Sequence, residues 1–337
     1  MKALTVQGPG QLVWVEAPTP RLSGPRSALV RPIASASCDL DRRLIAGVTP
    51  FKPPFALGHE CVAEVLQVGD AVTSVRRGDL VCVPWKIACG TCKQCHAGRA
   101  TACTSVPRHA AYGVPAGGDW GGLFSEVVDV PFADAMLVPL PPGINPLAAA
   151  SASDNLTDAW VATSRPISAR EDARVLVVGG TESLGVLAVQ MAVAAGAASV
   201  DYLDDNDYRR DLASRSGASV ELESVLDERY DVVVSATRDP RALHRGLLAL
   251  APGGHCSCIG IIFEDPVIPL FGMYLRDVTL SVGVCNVRPH IPKVLDLIGS
   301  GQCDPLLVSP TVVSPDEATE ALLQPLAKCI MVRERIT

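Results

Sequence analysis

Residues 174–185 read Arg-Val-Leu-Val-Val-Gly-Gly-Thr-Glu-Ser-Leu-Gly, an apolar run that ends in a glycine-rich turn. The apolar run is typical of a buried strand, and Gly185 to Ala195 has the periodicity and composition of a helix. Counted back from Gly185, the turn has the spacing G-x-E-x-x-G, with Gly180 as its first glycine and Glu182 in the place of the middle one. A strand, such a turn and a helix in this order predict a dinucleotide-binding unit.

We expect this turn to hold the pyrophosphate of a dinucleotide, through Gly180, Glu182, Ser183, Leu184 and Gly185. A carboxylate at position 182 is unfavourable beside two phosphates unless its side chain turns outward or a cation compensates it. The sequence offers Arg42 and Arg43 as candidate cations.

The next predicted strand, residues 199–203, is followed directly by Asp204. An acid at that place can bind the ribose hydroxyls of adenosine and repels a 2′-phosphate, so the sequence favours NAD(H) over NADP(H). The alternative is that Asp204 is a solvated acid within the acidic run 204–207.

Strands and helices alternate on both sides of this turn. Predicted strands cover residues 174–178, 199–203, 231–235, 256–261 and 279–284, and predicted helices cover 185–195, 207–214 and 240–250. Short connections between them favour a parallel sheet with helices on both faces. A proline-rich stretch at 139–146 separates this part from a β-rich first part.

We therefore predict two domains, which comprise residues 1–145 and 146–290. Two helices, at 291–300 and 315–326, and a closing strand at 328–332 follow. We expect this last segment, 291–337, to complete the first domain.

Hydrophobic residues make up 48% of the 337-residue chain and charged residues 19%, with a net charge of −7 and a pI near 5.4. This composition is typical of packed domains and excludes a largely disordered chain. The acidic balance repels nucleic acid and anionic membranes, so we expect neither as a partner. Polar residues near the start of the sequence interrupt any apolar segment that could serve as a signal peptide. The longest apolar stretch is too short and contains too many glycine and polar residues to span a bilayer. We expect a cytoplasmic protein.

Four of the twelve cysteines lie within fifteen residues, namely Cys89, Cys92, Cys95 and Cys103. In a chain with cytosolic character, such clustering points to metal rather than to disulfides. Four thiolates on a turning backbone suit a closed tetrahedral zinc site of structural type. Two alternatives to zinc are an iron–sulfur cluster and a set of free cysteines without metal. His96 is an additional potential ligand in the same loop.

Several further motifs occur at a characteristic spacing. They are Gly58-His59-Glu60, Val65-x-x-Val68-Gly69, Gly78-Asp79-x-Val81, the four-cysteine loop, Pro252-Gly253-Gly254 and the closing strand. Together they resemble the zinc-containing medium-chain alcohol dehydrogenase family over nearly the whole chain. The resemblance implies a GroES-like β-barrel catalytic domain joined to a Rossmann domain with a doubly wound parallel sheet.

The resemblance also implies a second, catalytic zinc held by Cys38, His59 and Asp154, and therefore two zinc ions per chain. Without the resemblance, Cys38 could equally be a core residue, His59 a turn residue and Asp154 a helix cap. By the same resemblance, Glu60 stays near the metal and Asp41 orients His59. The implied reaction is hydride transfer between NAD(H) and a small-molecule alcohol, or its aldehyde or ketone. The implied assembly is a homodimer or homotetramer through the strand at 279–284.

Some positions depart from the family pattern. Leu40 and Arg43 stand where many relatives have a hydroxyl and a histidine that pass the alcohol proton outward. This leaves open a related reductase that acts on an activated alkene or an imine. Asp39 stands where some relatives place an arginine on the pyrophosphate. Together with Glu182, it leaves open a non-catalytic relative that has lost cofactor affinity.

Overall fold

The computed structural model describes residues 1–220, 230–324 and 328–335. Its strands are β1 (Lys2–Gly8), β2 (Gln11–Glu16), β3 (Ala28–Ala36), β4 (Phe55–Ala56), β5 (Glu60–Val68), β6 (Leu80–Cys82), β7 (Val128–Val130), β8 (Val138–Pro139), β9 (Arg174–Val178), β10 (Ser199–Leu203), β11 (Tyr230–Ser235), β12 (Leu250–Cys258), β13 (Thr279–Val282), β14 (Thr311–Val313) and β15 (Cys329–Val332).

The α-helices of the same residues are α1 (Asp41–Ile45), α2 (Lys93–His96), α3 (Ala133–Met136), α4 (Pro146–Ala149), α5 (Asn155–Ser168), α6 (Leu184–Ala194), α7 (Asp207–Arg215), α8 (Pro240–Ala249), α9 (Leu270–Tyr274), α10 (Ile291–Gly299) and α11 (Pro315–Leu323). Short 3₁₀ segments are Ala100–Ala102, Ala150–Ser153 and Pro305–Leu307. The end of the helix predicted over 315–326 includes positions 325 and 326, which lie outside the described residues. No described helix is long and apolar enough to cross a bilayer.

The chain forms two compact units. The first unit comprises Met1–Asn155, Asn286–Gly299 and the described part of Ser309–Thr337. The second unit comprises Leu156–Cys285, as far as it is described, and Ser300–Val308.

The second unit contains a five-stranded sheet in the order β10-β9-β11-β12-β13, and all of its pairings are parallel. Beyond β10, Ser219 forms a parallel bridge with Asp201. Chain order reverses between β9 and β11, so the carboxyl ends of these two strands form the switch point where α/β sheets bind ligands. The predicted parallel sheet of a Rossmann domain is confirmed.

One predicted strand in this sheet was misplaced. β12 runs over Leu250–Cys258 rather than 256–261, and its pairing with β11 contains a register shift after Tyr230. The irregular pairing absorbs the Pro-Gly-Gly sequence at 252–254.

The first unit contains a mainly antiparallel sheet in the order β14-β15-β3-β5-β6-β8, with β7 paired to β3. A second sheet has the order β2-β1-β4. β15 pairs with β3 through Ile330 and Ala36, so the closing strand of the chain lies beside one of its first strands. The predicted GroES-like catalytic fold is confirmed. Among the described residues of this unit, one apolar cluster contains Tyr112 and Leu123, and another contains Leu4 and Phe124.

Candidate metal sites and nucleotide turn

The four predicted cysteines converge on one point in the loop that follows β6. Their sulfur atoms all lie within 4.8 Å of one another. The Sγ atom of Cys92 lies 3.5 Å from that of Cys95 and 4.0 Å from that of Cys103. A tetrahedral zinc with Zn–S bonds of about 2.3 Å requires sulfur–sulfur distances of about 3.8 Å. The spacing therefore fits a closed four-thiolate zinc site.

Hydrogen-bond donors next to Cys89 and Cys92 favour the thiolate forms of these two residues. Burial raises the pKa of Cys89, but hydrogen bonds from Ser105 and Thr91 outweigh it and lower the pKa to about 7. Hydrogen bonds with Thr104 lower the pKa of Cys92 to about 5. Such donors stabilise the charged form that binds metal.

Cys38, His59 and Asp154 also come together, although they lie far apart in sequence. Cys38 lies between β3 and α1, His59 directly precedes β5, and Asp154 follows the 3₁₀ segment Ala150–Ser153. Their ligand atoms lie within 4.8 Å of one another. Asp154 Oδ2 lies 3.6 Å from Cys38 Sγ and 3.7 Å from His59 Nε2. One sulfur, one nitrogen and one oxygen therefore face a common point, as in an open three-ligand zinc site.

Asp41, in the first turn of α1, holds the Cys38 and His59 segments together. Its Oδ2 accepts a hydrogen bond from the Cys38 amide at 2.9 Å. Its Oδ1 lies 3.5 Å from His59 Nδ1, and both atoms are buried without another hydrogen bond among the described residues. The Leu40 amide donates to Cys38 Sγ at 3.5 Å. This arrangement leaves His59 Nε2 facing the shared point.

Glu60 lies behind this cluster in a fully buried ion pair that the sequence analysis missed. Lys328 Nζ lies 2.9 Å from Glu60 Oε2 and 3.1 Å from Glu60 Oε1, and neither side chain is exposed. Burial raises the pKa of Glu60, and Lys328 opposes that shift. Lys328 was noticed only as the start of a strand, because nothing in the sequence links two residues 268 positions apart.

Asn155 is a second residue that was missed. Its Oδ1 lies 3.4 Å from Cys38 Sγ, and its buried Nδ2 has no hydrogen-bond partner among the described residues. Its position directly after Asp154 was the only available signal.

The charges of the three-ligand cluster also suit a cation. Burial raises the pKa of Cys38, and the carboxylates of Asp154, Glu60 and Asp41 raise it further. Burial likewise raises the pKa of Asp154 and of Asp41. A divalent cation would lower the cost of ionising a thiol and three carboxyl groups that lie this close together.

In the second unit, the glycine-rich turn packs as tightly as a dinucleotide-binding turn must. A Cβ atom on Gly179 would lie 2.4 Å from Asp204 Oδ2, and one on Gly180 would lie 2.8 Å from Thr237 Oγ1. Gly180 has a φ of 120°, which side chains rarely adopt. The backbone of the turn therefore keeps the close approach that this motif provides.

Glu182 is ion-paired with Arg238, which follows β11. Arg238 Nη1 donates to Glu182 Oε1 at 3.2 Å, and the second guanidinium nitrogen pairs with Oε2. Both residues belong to the second unit and meet at the switch point of its sheet. Arg238 thus supplies a cation that the sequence analysis did not identify.

Asp204 is 9% exposed, so the reading of this residue as a solvated acid was wrong. It accepts hydrogen bonds from Arg209 at 2.7 Å and from the Tyr202 hydroxyl at 2.8 Å. Burial opposes ionisation, but these bonds and that from the Asn206 amide lower the pKa of Asp204 overall. The end of β10 therefore carries a fixed, ionised carboxylate.

Comparison with known proteins gives a consistent picture. Residues 24–142 match the alcohol dehydrogenase GroES-like domain family, and residues 183–300 match the zinc-binding dehydrogenase family. The chain is 30% identical over 329 residues to a probable zinc-binding alcohol dehydrogenase of Mycobacterium tuberculosis, covering 95% of this chain and 84% of that protein.

Two further similarities extend this result. The chain is 31% identical over 269 residues to L-threonine 3-dehydrogenase of Pyrococcus abyssi, covering 74% of this chain and 72% of that protein. The solved structure of an alcohol dehydrogenase from Thermus sp. ATN1 superposes with a TM-score of 0.90 at 29% identity, covering 98% of this chain and 99% of that one.

Proposed function

Because the chain belongs to the zinc-containing medium-chain alcohol dehydrogenase family, we propose that it transfers a hydride between NAD(H) and a small alcohol, or the corresponding aldehyde or ketone. The observation that carries this proposal is the convergence of Cys38, His59 and Asp154. An inactive relative would have no need to keep these three ligands, two of them buried, in this arrangement with Asp41 behind them.

In this proposal, Cys38 Sγ, His59 Nε2 and an Asp154 carboxylate oxygen hold the catalytic zinc. Zinc at such a site polarises the alcohol oxygen and lowers its pKa. Asp41 keeps the His59 ring oriented through Nδ1 and fixes the Cys38 loop through its amide. Lys328 balances the charge of Glu60, so that this carboxylate stays beside the cluster without burying an unpaired charge.

Cys89, Cys92, Cys95 and Cys103 would hold the second zinc in a purely structural role. All four ligand positions are taken by sulfur, which leaves no place for a substrate oxygen. We therefore expect two zinc ions per chain.

For the cofactor, we propose NAD(H) over NADP(H). The support is the place of Asp204 at the end of β10, where an acid binds ribose hydroxyls. Because Arg209 offsets the charge of this carboxylate, the preference depends on hydrogen bonds to the ribose rather than on repulsion of a 2′-phosphate. Glu182 would be tolerated near the pyrophosphate because Arg238 neutralises it.

Leu40 supports a second candidate function. Its side chain packs against the apolar cluster around Leu44 and Leu57, so no hydroxyl is available at that position for proton transfer. A reductase of an activated alkene or an imine, in which zinc positions the substrate, has no alkoxide proton to pass through this position, and water would supply the proton that follows the hydride to carbon or nitrogen.

We also propose self-association through the outer edge of the second unit's sheet, giving a homodimer or homotetramer. β13 is the last strand on that side in the described sheet. Large apolar side chains on it and on nearby α9 are strongly exposed: Tyr274 (81%), Phe271 (75%) and Val282 (72%). Exposed apolar edges of this kind favour pairing with another chain.

Self-association is tested by sedimentation velocity. The wild type should sediment as a dimer or larger, and Val282→Lys should shift it toward the monomer. Val312→Lys, the same substitution at an exposed valine on β14 in the first unit, should leave the assembly unchanged. A monomeric wild type would contradict the proposal.

The main proposal is tested in two steps on purified protein. Metal analysis should give two zinc ions per chain, and a fluorescence titration should show saturable NADH binding that is tighter than NADPH binding. An activity panel of primary and secondary alcohols (L-threonine included), aldehydes, activated alkenes and imines then separates the two catalytic candidates. One zinc or none would refute the catalytic assignment, and a lack of binding of either cofactor would favour a non-catalytic relative.

A further inference from the structure

A cavity of about 290 Å³ lies in the first unit, away from the three-ligand cluster. It lies between the four-cysteine loop, α3 and the segment 286–289. Three charged residues line it, namely Lys86, Arg288 and Asp134, together with Cys95 of the four-cysteine loop. The proposed function uses none of the three.

Lys86 is only 8% exposed, and among the described residues its side-chain ammonium has no ion-pair or hydrogen-bond partner. Its Nζ lies 5.2 Å from the centre of the Trp85 ring, which offers only a weak attraction. Burial lowers the pKa of Lys86 to about 8. The Lys86 ammonium is therefore partly desolvated without a carboxylate beside it, and an anion bound in the cavity would offset that cost.

Arg288 brings a second cation to the same cavity. Its Nε is buried without a hydrogen-bond partner among the described residues, and its Nη2 lies 3.4 Å from the carbonyl oxygen of Leu137. Burial lowers the pKa of Arg288. The guanidinium therefore retains unused donors, and its planar arrangement suits an oxyanion.

Asp134 does not neutralise these cations. Its carboxylate accepts hydrogen bonds from the amides and hydroxyls of Thr73 and Ser74, at 2.7 to 3.1 Å. It makes no ion pair with Lys86 or Arg288 within the described residues. The amides and hydroxyls of the loop at 73–74 thus stabilise the negative charge of Asp134.

We propose that this cavity is an oxyanion site in which Lys86 and Arg288 bind a phosphate group. Its volume exceeds by several-fold the roughly 30 Å³ share of one water, so it accommodates a phosphate with its first waters. The phosphate is supplied either as the free ion or as a phosphomonoester.

The test is calorimetric and thermal titration of the zinc-loaded full chain at pH 7 with sodium phosphate, against sodium chloride at matched ionic strength. We expect saturable phosphate binding and a rise in Tm that chloride does not reproduce. Glycerol phosphate is titrated in parallel. Tighter binding than inorganic phosphate identifies an organic phosphomonoester as the ligand, and weaker binding identifies the free ion.

Lys86→Met should weaken phosphate binding at least about tenfold, because one charge-assisted hydrogen bond is lost. Lys93→Met, the same change at an exposed lysine in the four-cysteine loop, should have no effect. Arg288→Gln gives an independent variant if Lys86→Met does not fold.

Two outcomes overturn the proposal. In one, phosphate has no greater effect than chloride. In the other, the binding persists unchanged in Lys86→Met or Arg288→Gln, which would place the phosphate elsewhere, for example at the glycine-rich turn of the second unit.

Discussion

The four-cysteine cluster and the Cys38–His59–Asp154 cluster both gather metal ligands, but they are built in different ways. The first takes all its ligands from one short loop, between Cys89 and Cys103. Two of its cysteines are buried and two are half-buried, and hydrogen-bond donors surround Cys89 and Cys92. The second takes its ligands from three separate segments and surrounds them with buried carboxyl groups.

This difference explains why the two sites suit different roles. Local ligands with four sulfur atoms close the coordination sphere and fix the shape of a loop. Ligands from distant segments can be arranged only by the folded domain, which leaves one position free and lets neighbouring carboxylates tune the charge. The fold would depend on the first metal, and the second metal would depend on the fold.

Replacing one thiolate of the closed site should give the largest effect. Cys103→Ser should lose one zinc per chain and destabilise the protein by at least about 5 kcal/mol, because structural zinc contributes about 10 kcal/mol or more. Metal analysis and denaturant unfolding measure both changes. Cys303→Ser, at a buried cysteine outside both clusters, should keep both zinc ions. An equal loss of stability in both variants would show that the cluster has no special role.

Replacing a ligand of the open site should abolish activity and leave the fold intact. His59→Ala should lose the other zinc and lower kcat/KM at least about 10³-fold, which corresponds to about 4 kcal/mol of transition-state stabilisation. The Tm should change by only a few degrees, as measured by calorimetry. His96→Ala, at the exposed histidine beside Cys95, should retain both zinc ions and full activity. If His59→Ala unfolded the domain instead, the contrast between the sites would fail.

The same difference determines how much the sequence could predict. The four-cysteine spacing predicts its site directly, because all ligands lie in one loop. The glycine-rich turn and its flanking strand and helix were equally local, and the structure has them at nearly the predicted positions. Cys38, His59 and Asp154 came from a family resemblance, since no local pattern joins them.

What the sequence analysis missed depends on contacts between residues far apart in the chain. Arg238 reaches Glu182 only because β9 and β11 are neighbours in the parallel sheet. Lys328 reaches Glu60 because β15 and β5 both pair with β3. The bounds of β12 also depended on its partner, because the irregular pairing with β11 carries the strand through Pro252 to Gly254.

Lys328 offers a test that applies to the open site alone, because the closed site has no buried ion pair of this kind among its described contacts. Lys328→Met should destabilise the protein by about 3 kcal/mol, since it leaves the Glu60 carboxyl buried and unpaired. The double variant Glu60→Gln, Lys328→Met should recover most of this loss in denaturant unfolding. Similar stability of the single variant and the wild type would mean that Glu60 is already neutral.

The smallest expected effect compares the groups that support the ligands at each site. Asp41→Asn removes the negative charge next to His59 Nδ1 and should weaken zinc binding at the open site about 10- to 100-fold. Ser105→Ala removes the hydroxyl that donates to Cys89 Sγ at 3.1 Å and should weaken the closed site at most about fivefold, because the Thr91 and Cys92 amides still donate to that sulfur. Competition with a chelator of known zinc affinity measures both. A larger effect of Ser105→Ala than of Asp41→Asn would reverse the comparison, because the closed site would then depend more on its surroundings than the open one.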